Sequence, residues 1–357
     1  MSTRASAFHV RTAEHNLANA WTARGTFTLA ARYGDPRQEA LAARAAAALI
    51  DASFMTRLRL HGAGAAKLLS AACAFDAEAL AAGSSRRVFW RADGGGVRGI
   101  GMAARFGATN FVLRSLDSDG AWFDAAARRF DASVRDETTE KGLLFLLGPA
   151  AAELLAGAGL REAARLEPGN HAVISWRGFN VTVSRWSTLA QALSGYEISC
   201  ANEDAITVFD RLWRTGQDFA LTLAGQEALD ILLLEQGVLI PGADFTPARE
   251  LKAREPSPAS LGLSDAGRGT PRVLVGLEFD SDEPMAHAPI VQNGAIAGAT
   301  LRSAYSPALR RAIALAQLDR AQASIGNAVV VRRLTPAGNV DAVARVAALP
   351  FIGPPKN

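Results

Sequence analysis

The chain has 357 residues, 49% of them hydrophobic and 20% charged, which is enough for one large core or two to three smaller ones and too apolar for a disordered tail. Lysine plus arginine number 38 against 35 for aspartate plus glutamate, and the lysines, Lys67, Lys141, Lys252 and Lys356, are scattered, which argues against a nucleic-acid partner. Cys73 and Cys200 form neither a CxxC pair nor half of a zinc set, no apolar run has the length of a membrane span, and the start lacks a signal-peptide core; the expectation is a cytoplasmic protein with no membrane partner.

Residues 1–34 read as a polar arm that packs partly on the body through Trp21 and Phe27. Asp35 to Leu49 is alanine-rich behind an Asp-Pro start and is predicted helical. TRLRLHG, Thr56 to Gly62, alternates like a half-buried strand, and AGAAKLLSAAC after it returns to helix. RRVFW and the segment beyond Gly94–Gly96 read as two strands joined by a DGGG turn, TNFVLRS as a strand, and AWFDAAARRF as an amphipathic helix. LLFLLGPAAAELL is a strand turning into a helix. Because the strands keep their alternation, the body, residues 35–240, is expected to be α+β with mainly antiparallel sheet.

Pro241 to Pro271 is rich in Pro, Gly, Ser and charge and reads as a connector with little regular structure. Residues 272–353 then read as a small β domain, with SPALRRAIALAQL as a helical interruption that Ser306 would cap and Pro307 would open.

The glycine run Gly94, Gly95, Gly96 and Gly99 does not match GxxxxGK[ST], and no helix pattern follows it, so a hairpin turn is the expected role. His9, His15, His61, His171 and His287 have no metal spacing, and no metal site is expected. Glu235, five residues after Asp230, would lie at a helix C-terminus, an unfavourable place for a carboxylate. That leaves a carboxylate facing a pocket or an exposed acid on the polar side. Tyr196 and Glu197 open an apolar strand, where period two sends them to opposite faces. A single acid there has the chemistry to bind the donor edge of a heterocycle.

Taken in order, these segments resemble the aminomethyltransferase (glycine cleavage T protein) group and its tetrahydrofolate-dependent demethylase relatives. The resemblance rests on LIDASFMTRLRLHGAGAAKLL, FDAEALAAG with the DGGG turn, LLGPAAAELL, GAIAGATLRSAYSPALRRAIALAQL and the terminal LPF, and covers roughly residues 45–353. It implies a three-domain clover arrangement around tetrahydrofolate, which receives a one-carbon unit from a small-molecule methyl donor. Cofactor-binding roles would then fall on Met55, packed on the ring, on Glu197, binding the pterin edge, and on Tyr196 and Ser115. The departures are equally specific. Arg98 and Gly99 stand where the group has a pair of aspartates, Leu229 and Leu233 replace two arginines, and the KGCYxGQ signature of the related iron-sulfur-assembly proteins is absent. With that carboxylate missing, Arg98, Asp230 and Glu235 are the catalytic candidates. The resemblance implies a tetrahydrofolate-dependent methyltransferase or demethylase with a donor other than the glycine-cleavage carrier. The alternative is a noncatalytic folate-binding protein or an accessory subunit beside a partner enzyme of an amine-oxidising or demethylating complex.

Overall fold

The computed structural model describes residues 3–353, apart from 74, 92–96, 117–118, 187–192, 245–250, 253–261, 264–271 and 337. The DGGG turn and most of the 241–271 connector therefore lie outside the described residues. The first elements are β1 (Arg4–Ala5), α1 (His9–His15), β2 (Trp21–Arg24), β3 (Phe27–Ala30), α2 (Pro36–Ala45), β4 (Ala47–Asp51), β5 (Thr56–His61) and α3 (Ala65–Cys73). There follow β6 (Ser85–Arg91), β7 (Val97–Gly107), β8 (Asn110–Ser115), α4 (Gly120–Ala127), β9 (Ser133–Asp136), β10 (Lys141–Leu147), α5 (Ala151–Gly157) and α6 (Arg161–Ala164). Next are β11 (His171–Trp176), β12 (Phe179–Arg185), β13 (Gly195–Ala201), α7 (Ala205–Gly216), β14 (Leu221–Leu223) and α8 (Gln226–Glu235). The chain ends through β15 (Leu251–Lys252), β16 (Gly262–Leu263), β17 (Arg272–Phe279), β18 (Pro289–Gln292), β19 (Ala295–Ser306), β20 (Arg311–Asp319), β21 (Ala328–Thr335) and β22 (Gly338–Ala347).

The chain divides into two compact units, one of residues 1–88 with 101–229 and one of residues 89–100 with 230–357. In the first, a six-stranded sheet runs β11-β12-β13-β10-β4-β14 and a five-stranded sheet runs β6-β7-β8-β5-β9. Of the register-assigned pairs in these two sheets, β14 with β4 is parallel and the others are antiparallel, as strand alternation predicts. One face of the six-stranded sheet carries Leu49, Leu144, Leu146, Val181, Val183, Tyr196 and Ile198 into a core shared with α5, α6 and α7. Phe8 and Phe27 of the N-terminal segment are also buried. Asp35 caps α2 by accepting from the Arg37 N–H at 2.9 Å, but the helix stops at Ala45. The last three residues of the predicted helix, Ala47 to Leu49, instead open strand β4, all five of whose residues are buried. Buried alanines satisfy either geometry, and here sheet pairing on both sides decides.

The second unit closes a barrel. Its order β17-β20-β19-β18-β21-β22 returns on itself through β17 with β22, which removes the free edges. The predicted helix over SPALRRAIALAQL is corrected: Arg311–Asp319 is the strand β20, paired with β17 and β19. Ala312, Ala314, Ala316 and Leu318 enter the barrel core while Ile313 and Leu315 join a second buried cluster on the other face. A strand buried on both faces reads as an unbroken apolar run, which sequence periodicity does not separate from a helix.

Candidate functional site

Two polar sheet faces meet in the first unit. In β13, alternation sends Tyr196 into the core and Glu197 and Ser199 to the opposite face, beside Thr182 and Ser184 of β12. In β5 it sends Leu58 and Leu60 to one face and Arg57 and Arg59 to the other. Arg57 is the register partner of Arg114 on β8. The polar faces are in contact: Arg114 Nη1 donates to the Glu197 carboxylate and, at 3.0 Å, to Ser184 Oγ, and Arg57 Nη1 donates to Ser199 Oγ at 3.1 Å.

This layer is dry. Glu197 is 2% exposed, Arg57 3% and Arg114 8%. Arg57 further donates to the backbone carbonyls of Thr138, Lys141 and Gly142, and Arg59 holds Glu137 through Nε and Nη2. Burial pulls the Arg57 guanidinium down to about 10, with nearby Glu197 opposing the shift and Arg114 adding to it. Burial, with Arg114 contributing, pulls the His171 imidazole down to about 4. The His171 ring lies against Phe106, with ring centroids 4.2 Å apart.

Of the residues singled out in the sequence, Glu197 lies in this layer. Tyr196 is on the far face, its hydroxyl 3.3 Å from the Ala164 carbonyl. Met55 and Ser115 are buried just before β5 and at the end of β8, while Met102 shares a cavity lining with Glu197. Arg98 is half-buried on β7, and Asp230 is half-buried on α8. Glu235 is not an exposed acid: it is 0% exposed and accepts from Ser306 Oγ at 2.5 Å. At Gly99, an added Cβ would sit 2.2 Å from Cζ2 of Trp90, which is itself fully buried. Gly99 thus packs directly against the indole of Trp90, with no room for a side chain. Leu229 and Leu233 are likewise buried, where an arginine would have to carry its charge out of water.

Arg57 and Arg114 were missed in the sequence. Their strands alternate as an amphipathic strand does, and nothing local says that the polar face is covered by a second polar face. Among the described residues no cluster of His, Cys, Asp and Glu could hold a metal, and no helix is long and apolar enough to cross a membrane.

Most of the chain is similar to known families. Residues 4–254 match the GCVT N-terminal domain family and residues 272–352 the glycine cleavage T-protein C-terminal barrel domain family. An aminomethyltransferase of Streptomyces avermitilis is 29% identical, covering 84% of this chain and 85% of that protein. A trimethylamine-oxide aldolase of Ruegeria pomeroyi is 29% identical over 67% of this chain and 33% of its own length. In fold, the chain is similar to the crystal structure of aminomethyltransferase T of the glycine cleavage system from Bartonella henselae, with a TM-score of 0.85, 23% identity and 98% of both chains covered.

Proposed function

Since this chain belongs to the glycine cleavage T-protein (aminomethyltransferase) family, we propose that it is a member that no longer runs aminomethyl transfer from the glycine-cleavage carrier and serves as a binding or accessory subunit beside a partner that carries the chemistry. The observation that carries this reading is the buried Arg114–Glu197 pair. A pterin edge presents parallel N–H donors to a carboxylate, and a guanidinium presents the same donor fork. Arg114 therefore already takes, through Nη1, one of the Glu197 oxygens that the heterocycle would use. Displacing it would strand a buried cation, at a cost of about 3–5 kcal/mol for breaking such a pair.

As arranged, the Arg114 contact would have to break before tetrahydrofolate could use both oxygens of Glu197. The loss of the carboxylate at Gly99, which packs directly against Trp90, points the same way. One observation favours the second reading, tetrahydrofolate-dependent methyl transfer from another small-molecule donor: the likeness to aminomethyltransferases runs along nearly the full length of both chains.

The test is a calorimetric titration with tetrahydrofolate of the parent, Arg114→Ala and Glu197→Gln, together with assays of ammonia release from the aminomethylated carrier and of demethylation of N-, O- and S-methyl compounds. We expect no carrier turnover, weak folate binding by the parent, and a gain of at least about tenfold in Arg114→Ala, the loss of one competing charge-assisted contact. Tight binding by the parent that Glu197→Gln abolishes would overturn the capped-pocket reading, and demethylation of a panel compound would establish the second one.

A further inference from the structure

Eight buried side-chain nitrogens among the described residues have no hydrogen-bond partner, and four of them belong to Arg57, Arg114, His171 and Trp186, which surround the polar layer. Buried donors are almost always satisfied, so such a concentration needs an explanation. On Arg57 and Arg114 the unpartnered atom is Nε–H, a donor only. Both residues line one cavity of about 30 Å³ between β5 and β8 on one side and β10, β12 and β13 on the other. Four cations face it, Arg57, Arg59, Arg114 and Lys141, against two carboxylates, Glu137 and Glu197.

Arg57 and Arg114 are also directly opposite each other in the β5–β8 register, an arrangement of like charges that destabilises a sheet unless something of opposite sign lies near both. Glu197 answers Arg114 through a hydrogen bond and Arg57 through its nearby charge, yet the lining still holds four cations against two carboxylates. The remaining requirement is for an acceptor of negative charge, small enough for the space. The cavity exceeds the 10–15 Å³ or so that a single water needs, but not by enough for a ring.

We propose that this cavity is a binding site for a small oxyanion of the carboxylate class, with formate and acetate as its fitting members, received by the Nε–H groups of Arg57 and Arg114. The site does not depend on the proposed function, since it is built on Nε–H donors that make no hydrogen bond to Glu197 and takes a ligand of opposite character to a pterin edge. A carboxylate there would accept from both guanidinium groups and offset the excess positive charge without disturbing the Arg114–Glu197 pair.

The experiment is a thermal-unfolding series of the full chain with formate, acetate, propionate and butyrate, chloride holding the ionic strength constant, alongside ¹³C-formate line broadening. Formate and acetate are expected to raise the melting temperature of the parent in a saturable way, and butyrate to have no effect. Thr182→Ile, which fills the cavity while leaving every cation in place, should weaken formate binding at least about tenfold, the order of one charge-assisted contact. Equal shifts in parent and Thr182→Ile, stronger binding of butyrate than of formate, or no formate effect and no line broadening in the parent would each overturn the proposal. The last outcome would assign the two Nε–H groups to water. Because the acid series and the line broadening use the parent chain, a variant that fails to fold does not remove the test.

Discussion

His171 carries a consequence for acid stability that its neighbours dictate. Its imidazole is buried beside the Phe106 ring and near the Arg114 charge, so the folded state holds it neutral down to about pH 4, whereas an unfolded chain protonates it near 6.5. Between those values the unfolded chain binds a proton that the folded one refuses, so stability falls as pH drops from 6.5 toward 4 and the loss levels off below that. The shift corresponds to about 3 kcal/mol. His171→Gln removes the titration, and the difference between parent and variant in denaturant-derived stability should shrink by that order from pH 7 to pH 4. An unchanged difference would mean that the imidazole takes up its proton without cost. The same scale explains why Glu197 stood out in the sequence and Arg114 did not. An acid at the entrance of an apolar strand contradicts its surroundings, while an arginine in NFVLRS agrees with a solvent-facing position until a second sheet covers it.

At the scale of elements, α8 and β19 are tied by a buried polar contact. α8 ends at Glu235, as the sequence predicted, two residues before Gly237, whose φ is +62°. The carboxylate at that end meets an unfavourable helix dipole, and Ser306 Oγ, donating at 2.5 Å, helps to offset it. Ser306 also accepts the Leu309 N–H at 3.1 Å, so it organises the turn into β20 instead of capping a helix. Ser306→Ala withdraws a hydrogen bond from a buried carboxylate and should cost about 1–3 kcal/mol, read as a lower denaturant midpoint with an unchanged slope. A neutral result would show that Glu235's other contacts suffice. Strands with one polar face, such as β5 and β8, were legible from period two. Of the strands buried on both faces, β10 was read as a strand ahead of its Gly-Pro turn, whereas the alanine-bearing β4 and β20 were not, because the information that separates them from helices lies in which strands pair with them.

For the molecule as a whole, the order of segments showed the fold, but the division into units is not sequential. Residues 89–100 fall within the second unit although they lie between strands of the first. There, Phe89, Val97 and Ile100 join Leu234 and Leu239 in covering Leu274, Ile313 and Leu315 on the outer face of the barrel. A fragment of residues 272–353 alone keeps the barrel's interior cluster but loses that cover. Re-exposing buried side chains of this size forfeits about 1.5–3 kcal/mol each, a total comparable with the stability of a small domain. The excised barrel is therefore expected to melt well below the full chain, to bind a hydrophobic dye and to self-associate through the uncovered face. A fragment that stays monomeric, ignores the dye and unfolds cooperatively at the temperature of the full chain would show that the barrel is self-sufficient. In that case the 89–100 segment would be a covering that the fold tolerates, and the apolar residues at Phe89, Val97 and Ile100 would need another reason for being there.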